Sequence, residues 1–150
     1  MSEKNFQAFE RVIQELNELD DSDLRAEYLL EAAGRFHPQT SSTPPPYPES
    51  YRVPGCESGV YLFPKHSEDE TLSFTFVVEN PHGISAKALA VILSETLSGA
   101  KYEQIRKLRP EMVKDIFGSH LTLAKDQGLR NLICKVKEST YSRTTENSAD

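Results

Sequence analysis

The sequence predicts an α+β domain in which helices pack against one face of a small antiparallel sheet of about three strands. Three observations carry the fold class. Apolar residues recur at helical spacing in the first part of the chain, alternate with period two in the middle, and return to helical spacing afterwards. A proline-rich stretch separates the first part from the second.

In order along the chain, Phe6, Phe9, Val12, Ile13, Leu16 and Leu19 fall on one face of a first helix. Leu24, Tyr28, Leu29, Ala32 and Phe36 do the same in a second, with Asp21 or Ser22 as its N-cap and Gly34 near its end. Residues 37–50, HPQTSSTPPPYPES, read as an extended connection, because prolines lack the amide hydrogens that helices and ladders need. Two strands are expected at 59–63 (GVYLF) and 72–79 (LSFTFVVE), where Leu72, Phe74, Phe76 and Val78 alternate with residues of the opposite face. The charged PKHSEDET segment between them makes a hairpin loop, and Tyr51 to Val53 is expected to supply the third strand. Helical spacing resumes with Ile84, Leu89, Ile92, Leu93 and Leu97 before Ser98-Gly99, then with Tyr102, Ile105 and Leu108 before Pro110. Gly99 suits the left-handed end of a helix, and Pro110 the first turn of the next. Met112, Val113, Ile116 and Phe117 carry that helix to Gly118, and Leu129, Leu132, Ile133 and Val136 form the last. The reading is one domain over residues 1–137, followed by a flexible, apolar-poor tail over 138–150.

A chain of 150 residues is long enough to bury roughly 70% of the surface its unfolded form exposes. Net charge is −6 and the isoelectric point near 5.3, so no excess of cations is available to neutralise phosphates, and nucleic acid is not an expected partner. The longest apolar run, Ala88 to Leu93, is far short of the roughly 20 residues that span a bilayer, so no membrane association is expected. The N-terminus shows neither a signal-peptide pattern nor a transit-peptide composition, which points to the cytoplasm. Cys56 and Cys134 lie far apart, outside any CxxC spacing, so each thiol is judged alone.

Arg52-Val53-Pro54-Gly55-Cys56-Glu57-Ser58 is the segment with chemical potential. A fixed proline and a permissive glycine set Cys56 at a turn between two strand-like runs, at the tip of a loop. Arg52 offers a cation that favours the thiolate, and Glu57 opposes it. The residues alone leave two readings open: a reactive thiol, or a small apolar residue closing a turn.

RVPGCESGVYLF resembles the signature of the SufE family, in which a Gly-Cys pair precedes a serine two residues on and then a Val-aromatic strand; here these are Gly55, Cys56, Ser58, Val60 and Tyr61. The resemblance extends through Lys87, Ala90, Leu97-Ser98-Gly99, Pro110 and the Ser119 to Leu129 stretch SHLTLAKDQGL. It implies a sulfur acceptor and activator of a cysteine desulfurase. That partner would use its own pyridoxal phosphate, with no cofactor in this chain, and Cys56 would carry sulfur from it towards a downstream iron–sulfur scaffold. It also implies a fold like that of the iron–sulfur scaffold, with the resting cysteine in a loop over an apolar cavity, in a monomer or weak homodimer. Contacts with the desulfurase are expected from Arg52, Gly55, Glu57, Ser58, His82, His120 and Lys125. This chain departs from the pattern at Gly59 (often glutamine), Tyr61 (often tryptophan), around His82 (often aspartate) and at Lys125, where an arginine fork becomes an ammonium point charge.

Three other readings are kept beside this one. An iron–sulfur scaffold would need about three or four converging thiolate or imidazole ligands, and a cysteine hydrolase would need His66, His82 or His120 recruited as a base for Cys56. A plain interaction module would need neither. Cys134 falls off the apolar stripe of the last helix and is read as a spectator, the four scattered histidines suggest no metal site, and Glu68-Asp69-Glu70 reads as a solvated loop.

Overall fold

The computed structural model describes residues 4–37 and 44–142. The chain opens with a helical hairpin, α1 (Phe6–Asn17) and α2 (Ser22–Gly34). Asn5 and Asp21 act as N-caps, their side chains accepting hydrogen bonds from the amides of Ala8 and Asp23. A 3₁₀ turn (Glu49–Tyr51) leads to the hairpin β1 (Val60–His66) and β2 (Thr71–Val78). These strands are antiparallel, from Val60 opposite Val78 to His66 opposite Leu72. Then follow α3 (Ile84–Leu97), β3 (Ala100–Lys101), α4 (Tyr102–Ile105), α5 (Met112–Phe117) and α6 (Leu123–Ser139).

The sheet has three strands in the order β1-β2-β3, and the third is not the expected one. Tyr51 to Val53 forms only a bridge between Arg52 and Tyr61 and one bond from the Val53 amide to the Val60 carbonyl. The chain turns away at Pro54-Gly55, where Gly55 takes a φ of +77°, and the pairing ends there. The third strand is instead Ala100–Lys101, paired with Thr71 and Leu72.

Pro64 is tolerated inside β1 because its partner Phe74 turns its own backbone away. The Phe74 N–H donates to Ser98 Oγ at 2.9 Å, and the Ser98 hydroxyl donates to the Phe74 carbonyl at 3.2 Å. Leu72, Phe74 and Phe76 point into the core. Tyr61 and Phe63 lie on the opposite face, where Tyr47 and Tyr51 pack against them.

The core centres on α3, which is buried on nearly every side because α1, α2, α6 and the sheet all pack on it. This explains why its sequence is apolar almost without interruption. The C-terminal end also differs from expectation. The last helix continues past Lys137 to Ser139, and Thr140 is only 2% exposed. Arg106 donates to the Thr140 hydroxyl and carbonyl, both at 2.9 Å, so polar partners hold a segment that apolar pattern could not reveal. Residues 143–150 of the expected tail, and 38–43 of the connection, lie outside the described residues.

Candidate functional site

Cys56 sits in a cleft of about 290 Å³ walled by three segments. Gly55, Cys56, Glu57 and Ser58 come from the turn before β1; Asn80, His82, Gly83, Ile84, Ser85 and Ala86 from the β2–α3 junction; Ala124, Lys125, Gly128 and Leu129 from the first turns of α6. The turn is built by backbone conformation. Gly55 and Gly59 have φ of +77° and +67°, the left-handed region that glycine enters without steric cost. The junction is tied back to the turn by the Asn80 amide, which donates to the Ser58 carbonyl at 2.9 Å.

The thiol is not displayed at an exposed tip. Cys56 is 7% exposed, and its Sγ–H points at the Gly128 carbonyl at 3.7 Å. This close approach of turn and helix depends on Gly128. A Cβ there would stand 2.8 Å from the Gly55 carbonyl oxygen and 3.3 Å from Cys56 Cα, so the backbones meet only because none is present. Burial pushes the thiol pKa from 9.0 up to about 11, against a smaller lowering by Arg52.

Of the residues singled out in the sequence, Gly55, Cys56, Glu57, Ser58, His82 and Lys125 share this cleft. Arg52 does not line it: its guanidinium lies 3.7 Å from Glu49 and acts on the thiol only through its charge. His120 lines a neighbouring groove with Leu19, Arg25, Phe117 and Leu121, which adjoins the cleft through Ile84 and Ser85. His66 is bonded to Tyr102 at 2.7 Å. Cys134 is half-buried on α6, and burial raises its pKa. Among the described residues, no three of His, Cys, Asp and Glu converge as a metal site would need, and no helix is long and apolar enough to cross a membrane.

Residues that the sequence reading did not single out complete the site. Gly83 lets Ser58 pack closely, since a Cβ there would meet Ser58 Oγ at 2.7 Å. Asn131 donates to the Pro54 carbonyl at 2.8 Å. A glycine inside a helical pattern was the available signal for Gly128; Asn131, an ordinary polar residue on a helix, gave none.

Comparison with known proteins places this geometry in a family. The solution structure of a hypothetical protein from Thermus thermophilus superposes with a TM-score of 0.68 over 95% of this chain and 99% of that one, at 22% identity, which shows the fold. A protein of Plasmodium vivax named cysteine desulfuration protein SufE is 31% identical over 94 residues, 62% of this chain and 39% of that protein. Its namesake in Plasmodium falciparum (isolate 3D7) is 32% identical over 88 residues, 57% of this chain and 35% of that protein. The chain thus spans less than two fifths of the curated relatives it matches. The family model for SufE, the Fe-S metabolism associated domain, matches residues 10–140, and the chain belongs to that family.

Proposed function

We propose that the chain accepts sulfur from a cysteine desulfurase and stimulates that enzyme, delivering the sulfur to iron–sulfur cluster assembly in the cytoplasm. The observation that carries this reading is the buried thiol of Cys56 lining a walled cleft within the region matched by the family. In the transfer, the Cys56 thiolate attacks the outer sulfur of the desulfurase persulfide. An S–S bond forms at Cys56 Sγ, the S–S bond on the enzyme breaks, and the enzyme's cysteine leaves as a thiolate. Sulfur changes hands with no external oxidant or reductant. The chain itself needs no cofactor for this step, since pyridoxal phosphate belongs to the partner. Mass spectrometry after incubation with a desulfurase and free cysteine, without reductant, tests the reading. One added sulfur on the Cys56 peptide is expected; sulfur on Cys134 alone, or on neither, overturns it.

Lys125 is exposed at the mouth of the cleft and serves as a docking charge. Such a charge acts chiefly on association rate and on salt dependence. Lys125→Glu is expected to weaken desulfurase stimulation about three- to ten-fold at low salt, with the difference shrinking at high salt as screening rises. A stimulation curve at low salt that matches the unaltered protein removes Lys125 from the interface.

A further inference from the structure

We propose that one stripe of α6, formed by Gly128, Asn131 and Lys135, is a latch that holds the Cys56 turn closed, with Asn131 as its positioning residue. These residues lie at i, i+3 and i+7, on one helical face, and each engages the segment before β1. Lys135 Nζ donates to the Ser50 carbonyl at 2.8 Å, Asn131 Nδ2 donates to the Pro54 carbonyl at 2.8 Å, and the Gly128 carbonyl faces the Cys56 thiol at 3.7 Å.

The turn has two fixed ends and a middle held from α6. Val53 is tied to Val60, and Ser58 to Asn80, by backbone hydrogen bonds. Between them, the Pro54 carbonyl accepts from Asn131 and the Cys56 thiol donates to the Gly128 carbonyl, both on α6. Gly55, at positive φ, lies beside Cys56 within this stretch and supplies the backbone freedom for a swing. Asn131 itself is held: its Oδ1 accepts from Gln127 Nε2 at 3.0 Å, which leaves the Nδ2 end facing Pro54. Gly55 leaves room for it, since a Cβ there would lie 3.0 Å from Asn131 Nδ2. Opening this latch releases the turn and uncovers the thiol, so a partner that binds only the open form shifts the population towards it.

The inference takes its purpose from sulfur acceptance, but its test needs no desulfurase, so the two can fail separately. In the full chain carrying Cys134→Ser, iodoacetamide alkylation of Cys56 is followed across a range of pH, alone and with Asn131→Ala or Asn131→Asp. Loss of one partly solvated hydrogen bond should raise the rate about three- to ten-fold. The pH profile should also shift to lower pH as the thiol leaves its buried position. The added carboxylate in Asn131→Asp opposes thiolate formation, so a faster rate in that variant reports opening and not charge. Gln127→Ala, at an exposed position, should give a smaller rise in the same direction and carries the test if an Asn131 variant fails to fold. Unchanged rates and pH profiles in the folded variants overturn the latch.

Discussion

Cys56→Ser is expected to abolish sulfur acceptance, a loss of at least about 100-fold, because a serine alkoxide is inaccessible near neutral pH and cannot form the S–S bond. The substitution nearly preserves shape, and the hydroxyl can still donate to the Gly128 carbonyl that now faces the thiol. Circular dichroism and thermal melting should therefore stay close to those of the unaltered protein while single-turnover sulfur transfer disappears. Cys134→Ser should transfer sulfur normally, since Cys134 lies on α6 outside the cleft. Sulfur retained by Cys56→Ser and lost by Cys134→Ser reverses the assignment.

Gly128→Ala should have the opposite effect on reactivity: Cys56 becomes more reactive in the free protein. The new methyl group meets backbone, the Gly55 carbonyl at 2.8 Å and Cys56 Cα at 3.3 Å, and backbone cannot rotate aside as a side-chain tip can. The helix itself gains about 1 kcal/mol from the exchange, so the strain falls on the turn and the fold persists. A thiol displaced into water relaxes from about 11 towards 9.0. Below both values each unit of that fall gives ten-fold more thiolate, so about 100-fold in all. The lower basicity makes each thiolate roughly ten-fold less nucleophilic. The net result is at least about a ten-fold faster alkylation, with better access adding to it. Alkylation as slow as in the unaltered protein would mean that the turn absorbs the methyl group and that glycine at this position has no part in covering the thiol.

Much of this was legible in the residues because period and burial are local signals. The α1 face, the pairing of β1 with β2 and the start and end of α3 follow from spacing alone; α2 follows only in part, since Leu24 is 47% exposed and Phe36 lies beyond the helix end at Gly34, and β1 runs on to His66 into what reads as loop. The misses have physical causes. β3 is two residues long, too short for a period of two to show. α6 begins at Leu123, well before Leu129, because its first turns are solvated and Leu123 itself is 90% exposed; its N-cap Thr122, which accepts from the Lys125 amide, was the only local sign. For the site, Cys56 stood out through Pro54 and Gly55, and Arg52 through its charge. That the turn folds inward beneath α6 is a tertiary fact. It depends on an absent Cβ at Gly128 and a hydrogen bond between residues 77 apart in sequence, and neither leaves a pattern within a short window.

Pro64 and Ser98 have a consequence for how this molecule can be recognised. An open sheet edge invites another chain to add a strand and is a template for aggregation. Here the outer edge of β1 is bridged at Tyr61 and lacks a donor at Pro64, while Ser98 and β3 occupy the outer edge of β2 from Phe74 to Thr71. Strand addition is thereby blocked at these positions, and a partner approaching them meets side chains and surface shape rather than a free row of backbone donors and acceptors.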